Sequence, residues 1–283
     1  MGKRHEAIGI KQVIRFEWMQ KAANLLLAGL DAKTIRQELH EFLADRKGNG
    51  SEGERSDQTR TFVVNNLMKI WVSPDPELIP FRDASLAFLR ENPSMALAVH
   101  WGMISAVYPF WFNVARQTGR LLALQDQVTQ TQIINRLTEQ YGDRQTVSRY
   151  ARFVIRSFVA WGALKDSEAK GCYEKAAPVS IAEPNLAILM FESALLATPE
   201  AKGALGLLLN NPAFFPFQLP VMTGDFVSQR SERIDVVRYG LDDELLKCLV
   251  GRLRIAHRGH DVCDAVDNDR TERDVDVHFV AVT

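Results

Sequence analysis

Apolar positions in the first ninety residues recur at helical spacing. Val13, Phe16, Ala23, Leu26, Leu27 and Leu30 form one such set. Asp31 stands where it can cap a second helix carrying Ile35, Leu39 and Leu43. From Lys47 to Asp57 there are three glycines and no apolar side chain, which predicts a mobile loop. A third helix follows with Phe62, Val63, Leu67 and Trp71 toward the core, and Pro74-Asp75-Pro76 ends it. A fourth covers about residues 77–90 and stops before Asn92-Pro93, because the residue ahead of a proline is pushed out of the helical region.

The middle of the chain opens on Met95–Ala115, where His100 is the only ionisable group. Its length suffices to cross a bilayer. Gly102, Ser105, Pro109 and Asn113 argue instead for a buried core helix, kinked near Pro109. Leu121–Gln125 reads as a short strand. Thr129 or Thr131 can cap the next helix, 132–141, which Gly142 closes. Only Asp143-Arg144-Gln145 separates it from a helix that starts at Thr146 and runs to Trp161-Gly162. Ala163–Lys165, a polar turn over 166–171 and Cys172–Lys175 then read as a hairpin. Helix, strand, helix, tight turn, helix and hairpin is the order of a winged helix-turn-helix. Trp161, at the end of the last helix, is expected to be buried against residues such as Ile133 and Leu137.

In the last third, Ala187–Leu196 predicts a helix and 210–220 an irregular, proline-broken apolar segment. Arg233–Tyr239 predicts a strand, and a helix is expected near Asp243–Leu249. From Arg252 the chain is polar and is expected to be partly disordered. The fold class that results is mostly α. A helical N-terminal domain (1–93) precedes a winged helix-turn-helix domain (94–182) and a small mixed α+β C-terminal region (183–251), with a polar tail over 252–283.

On the helix from Thr146, Val147, Tyr150, Ala151, Val154, Phe158 and Trp161 share one face. Arg149, Arg152 and Arg156 lie almost opposite, and between Arg144 and Arg156 there are four arginines and no acid. A helix that enters the major groove needs this division, with planar arginine forks aimed at phosphates and guanine edges. Lys165, Lys170 and Lys175 on the hairpin would add contacts to the DNA backbone. The whole chain carries 34 Lys+Arg against 35 Asp+Glu, so this local face, not a cationic molecule, must attract DNA. The rival expectation is a scaffold whose arginine face docks an acidic protein or is merely solvated, with Glu139 and Asp143 near enough to pair.

Other chemistry is poorly supported. Three scattered cysteines without CxxC spacing and an N-terminus without an apolar stretch suit a cytoplasmic protein. Glu168-Ala-Lys170 and Glu200-Ala-Lys202 match half of a nuclease motif, but in polar contexts without an aspartate suitably placed before them. His257, His260, Cys263, Asp264 and Asp267 fit no defined metal spacing. No catalytic residue, cofactor or metal is therefore expected, and His100 is read as a hydrogen-bonded core histidine.

Leu25-Leu-Leu-Ala-Gly-Leu-Asp31 resembles the LLLxGxD opening of BrxA, the small helical subunit of the BREX bacteriophage-exclusion systems. The order that follows is also similar: a helix ending in an aromatic and a proline turn (Asn65–Pro76), an apolar helix with Tyr108-Pro109-Phe110, and a helix pair closed by Trp161-Gly-Ala-Leu164. The likeness covers about residues 13–181. It implies an all-helical, DNA-binding accessory protein of an antiviral complex, working with other subunits and without chemistry of its own. The glycine-rich loop at 47–57 and about a hundred residues after the hairpin depart from that pattern.

Overall fold

The computed structural model describes residues 4–239 and 243–249. Helix α1 (Phe16–Leu27) packs beside α2 (Ala32–Phe42), whose start is fixed by Asp31. One carboxylate oxygen of Asp31 accepts from the backbone N–H of Lys33 (2.9 Å) and of Thr34 (3.1 Å). The polar loop after α2 is turned back on itself. Lys47 N–H donates to the Ser51 carbonyl (3.0 Å), and the Arg55 guanidinium lies 5.0 Å from the centre of the Trp18 ring, buried under it. Helix α3 (Asp57–Leu67) runs into a wider π-turn over Met68–Val72, and α4 (Ile79–Glu91) stops one residue before Asn92-Pro93.

The apolar stretch divides as its proline requires. Helix α5 (Ala96–Val107) ends at Tyr108, and α6 (Pro109–Leu122) restarts with proline in its first turn, where the missing N–H costs nothing. The two are bent by 117°. Among the described residues no single helix is long and apolar enough to cross a membrane; only this bent pair has the combined length and composition. Both helices are buried: Trp101, Phe110 and Trp111 have no exposed surface.

A three-residue strand, β1 (Gln127–Thr129), leads into α7 (Gln130–Tyr141). Thr129 and Gln132 form a reciprocal capping box, so the helix starts at Gln130, two residues before the sequence-based boundary. The strand expected over 121–125 is corrected. Leu121 and Leu122 complete the last turn of α6, and Leu124 is 85% exposed, so no alternating face is available there. Helix α8 (Gln145–Ala160) is followed by an antiparallel hairpin of β2 (Leu164–Asp166) and β3 (Cys172–Lys175). β1 adds to the other edge of β3, giving the order β1-β3-β2.

A short β4 (Val179–Ser180) leads to α9 (Pro184–Leu196), a helix buried on all sides that packs along α5. β5 (Lys202–Ala204), α10 (Leu205–Leu209), β6 (Phe217–Gln218) and α11 (Gly224–Arg230) follow, with β6 lying parallel to β4. β7 (Ile234–Tyr239) is the strand expected from sequence. The helix expected near Asp243–Leu249 is instead β8 (Asp243–Cys248), the centre of a sheet ordered β5-β8-β7. Pairing on both edges overrides the local preference, and burial alternates as a strand demands: Leu246 and Cys248 inside, Lys247 outside. Segments 1–93, 94–182 and 183–251 all contribute to one continuous hydrophobic core. The expected tail lies outside the described residues.

Candidate nucleic-acid interface

Gly142, at φ +80°, ends α7, and only two residues separate it from the first residue of α8. Arg144 closes this turn: its Nε and Nη2 donate to the Tyr141 carbonyl at 3.1 and 2.8 Å. Val147, Ala151, Val154 and Phe158 are fully buried along the inner face of α8, joined by Ile155 and Ser157. Trp161 is buried too, with the rings of Phe16, Trp101 and Trp111 around it, and its indole N–H donates to the Ile14 carbonyl (2.8 Å).

All seven cations singled out from the sequence are exposed: Arg144, Arg149, Arg152, Arg156, Lys165, Lys170 and Lys175. They are not equivalent. Among the described residues, no carboxylate lies within ion-pair distance of Arg149 or Arg152; Glu139 pairs with Arg136 instead (3.6 Å). Arg144 is committed to the turn. Arg156 donates to Asp166 on β2 at 2.5 Å. Burial works against its charge, but the Asp166 hydrogen bond and charge outweigh that and hold the guanidinium above its ordinary value. Arg156 therefore fastens the hairpin to the helix. Lys165 stands opposite Glu174 across the β2–β3 pair, Lys170 is in the hairpin turn, and Lys175 borders an opening of about 390 Å³ with Phe214 and Gln218. Between the hairpin, the start of α7 and Arg156 lies a larger concavity of about 750 Å³. Asp166 was invisible to helical spacing, since its relation to Arg156 is set by where the hairpin folds.

Glu168, Lys170, Glu200 and Lys202 are exposed, and Glu168, Lys170 and Glu200 sit in turns. The histidine and cysteine cluster at 257–267 lies outside the described residues. Among the described residues no group of three metal-ligating side chains converges. His100 is fully buried between the rings of Phe16 and Trp71; its Nε2 donates to Gln20 Oε1 (3.1 Å), and Nδ1 has no partner. Burial pulls its pKa from 6.5 down to about 3. The folded state thus refuses a proton that the unfolded state accepts below pH 6.5. Stability from this group is complete above that value and falls toward pH 3 by about 1.4 kcal/mol per pH unit. The difference between parent and His100→Gln in urea melts at pH 7 and pH 4.5 checks this: the variant should lose less on acidification. Equal losses would place the proton elsewhere.

In comparison with known proteins, no family model, no curated sequence and no solved structure matches this chain.

Proposed function

We propose that this chain is a non-catalytic protein that binds double-stranded DNA through a winged helix-turn-helix formed by β1, α7, α8 and the β2–β3 hairpin. The observation that carries the reading is the outer face of α8, on which two arginines stand unpaired. Arg149 and Arg152 are exposed on a helix whose opposite face is fully buried, and neither has a carboxylate partner among the described residues. The short α7–α8 turn, the hairpin after α8 and the third strand before α7 support the fold assignment. Exposed Lys165 and Lys170 extend the cationic surface from the helix onto the hairpin. The resemblance to an accessory subunit of a phage-defence complex would make other protein subunits its partners as well.

The test is fluorescence anisotropy of the full chain with a random duplex over a range of salt. The parent should bind at low salt and weaken steeply as salt rises. Arg149→Gln/Arg152→Gln keeps side-chain length, removes two charges and should leave the melting temperature unchanged. It should make the slope of log K against log salt shallower by about 0.9 per lost phosphate contact. A folded double variant that binds as tightly as the parent, or a parent that does not bind at low salt, refutes the reading and favours the acidic-partner scaffold.

A further inference from the structure

The segment before α1 is anchored against the last turns of α8. Ile14 N–H donates to Ser157 Oγ (3.0 Å), and the Ile14 carbonyl accepts from Trp161 Nε1 (2.8 Å), both bonds buried. These bonds fix the backbone directly before Arg15. As a result Arg15 and Arg156 line the same cleft of about 270 Å³, with Gly48 and Asn49 of the α2–α3 loop beside them.

The loop is shaped to that arrangement. Gly50 has φ +87°, and a Cβ there would lie 2.8 Å from Arg15 Nη1, so the guanidinium rests against bare backbone. A Cβ on Gly48 would come within 3.3 Å of Val13 Cβ. Lys47 is exposed, its backbone held by bonds with Ser51 and Gly50, and among the described residues no carboxylate lies within ion-pair distance of it. The neighbouring Asp45 is taken by Arg46 (2.9 Å). Glu17 holds one nitrogen of Arg15 and Asp166 one of Arg156, which leaves each guanidinium with further N–H groups to donate.

We propose that the DNA interface continues past the C-terminal end of α8 onto this cleft, where Arg15 and Lys47 hold the backbone of the same duplex. The proposal rests on the DNA-binding reading above and extends it to a part of the chain outside the winged helix. Arg149, Arg152 and Arg156 already span about 10 Å of helix axis at 1.5 Å per residue. Arg15 lines the same cleft as Arg156 at the end of that row, and Lys47 directly precedes Gly48 of the cleft wall, its ammonium resting beside Gly53. Arg149, Arg152 and Lys47 have no carboxylate within ion-pair distance among the described residues, and Arg15 and Arg156 keep donors free beside Glu17 and Asp166, so the row can face a polyanion with a charge about every 1.7 Å of duplex axis. The role assigned to both residues is sequence-independent, because phosphate contacts position a protein on DNA without reading bases.

The experiment compares the full-length parent with Lys47→Gln, Arg15→Gln/Lys47→Gln and Arg149→Gln/Arg152→Gln on one random duplex between 50 and 200 mM salt. Lys47 is exposed, so its variant should melt with the parent and remains informative if removal of Arg15 disturbs the loop. Lys47→Gln is expected to lose about threefold less affinity than the parent across that salt range, since each phosphate contact adds about 0.9 to the slope. The Arg15/Lys47 pair should roughly double that difference on a logarithmic scale. If Lys47→Gln and the pair keep the parent slope while Arg149→Gln/Arg152→Gln reduces it, the extension is wrong and the DNA-binding reading stands. If the parent does not bind the duplex at low salt, both fall together.

Discussion

Replacing Arg233 with alanine should destabilise the protein by about 3–5 kcal/mol, the usual cost of stranding one member of a buried ion pair. Arg233 forks onto Glu192 with Nε–Oε1 2.8 Å, Nε–Oε2 3.0 Å and Nη2–Oε2 2.9 Å. Glu192 is 1% exposed in the middle of α9, whereas Arg233 comes from the turn before β7, so the pair ties the C-terminal sheet to the helical core. Burial raises the Glu192 pKa above its ordinary value even with the arginine in place. The pair is therefore a cost of burial mostly offset, not a source of net stability. Two variants separate these statements. Arg233→Ala should show the large loss in urea unfolding at pH 7, with part of it recovered at acid pH as Glu192 takes up a proton. Arg233→Met/Glu192→Leu should recover most of it at every pH. A double variant as unstable as Arg233→Ala would mean that packing around the guanidinium stem, not the charge, decides the loss.

The parts of this fold that sequence made legible are those in which period and punctuation agree. In α8 the apolar stripe from Val147 to Phe158 predicted the buried face, and Gly142 marked the end of α7. Pro109 marked the break between α5 and α6. β8 was missed because its residues have no strand signal of their own: Glu244, Leu245, Leu246 and Lys247 favour a helix until β5 and β7 supply hydrogen bonds on both sides. The same limit applied to the site. Helical spacing placed Arg149, Arg152 and Arg156 on one face, and the structure agrees that all three are exposed. Spacing could not tell that Asp166 would return to Arg156, nor that Ile14 would carry Arg15 to the far end of the same helix. Charge along an element is a local property, but which charges stay unpaired depends on the tertiary fold.

The arginine face is only as rigid as what lies behind α8, and there Trp101 is the central support. Its ring stacks on Phe158 (centroids 5.0 Å apart, 29° between planes) and meets Trp111, Trp161, Phe215 and Phe217 edge-on at 5.6–6.0 Å. The indole N–H donates to the Ala213 carbonyl (3.1 Å), and the side chain has no exposed surface. Trp101→Ala should thus cost about 3–5 kcal/mol, combining lost burial with a cavity that five surrounding rings cannot easily collapse. Trp101→Phe should cost less, since it keeps an aromatic ring but strands the Ala213 carbonyl at about 1–3 kcal/mol. Denaturant melts at neutral pH rank the two. Amide hydrogen exchange supplies the functional connection: in Trp101→Ala the buried turns of α8 around Val154 and Phe158 should exchange faster relative to global unfolding, although no cation has been touched. If DNA binding requires Arg149 and Arg152 to be held in place, the alanine variant should bind more weakly at low salt with the salt slope of the parent, because the number of phosphate contacts is the same. A stable Trp101→Ala with unchanged exchange in α8 would show that the aromatic cluster does not support the arginine face.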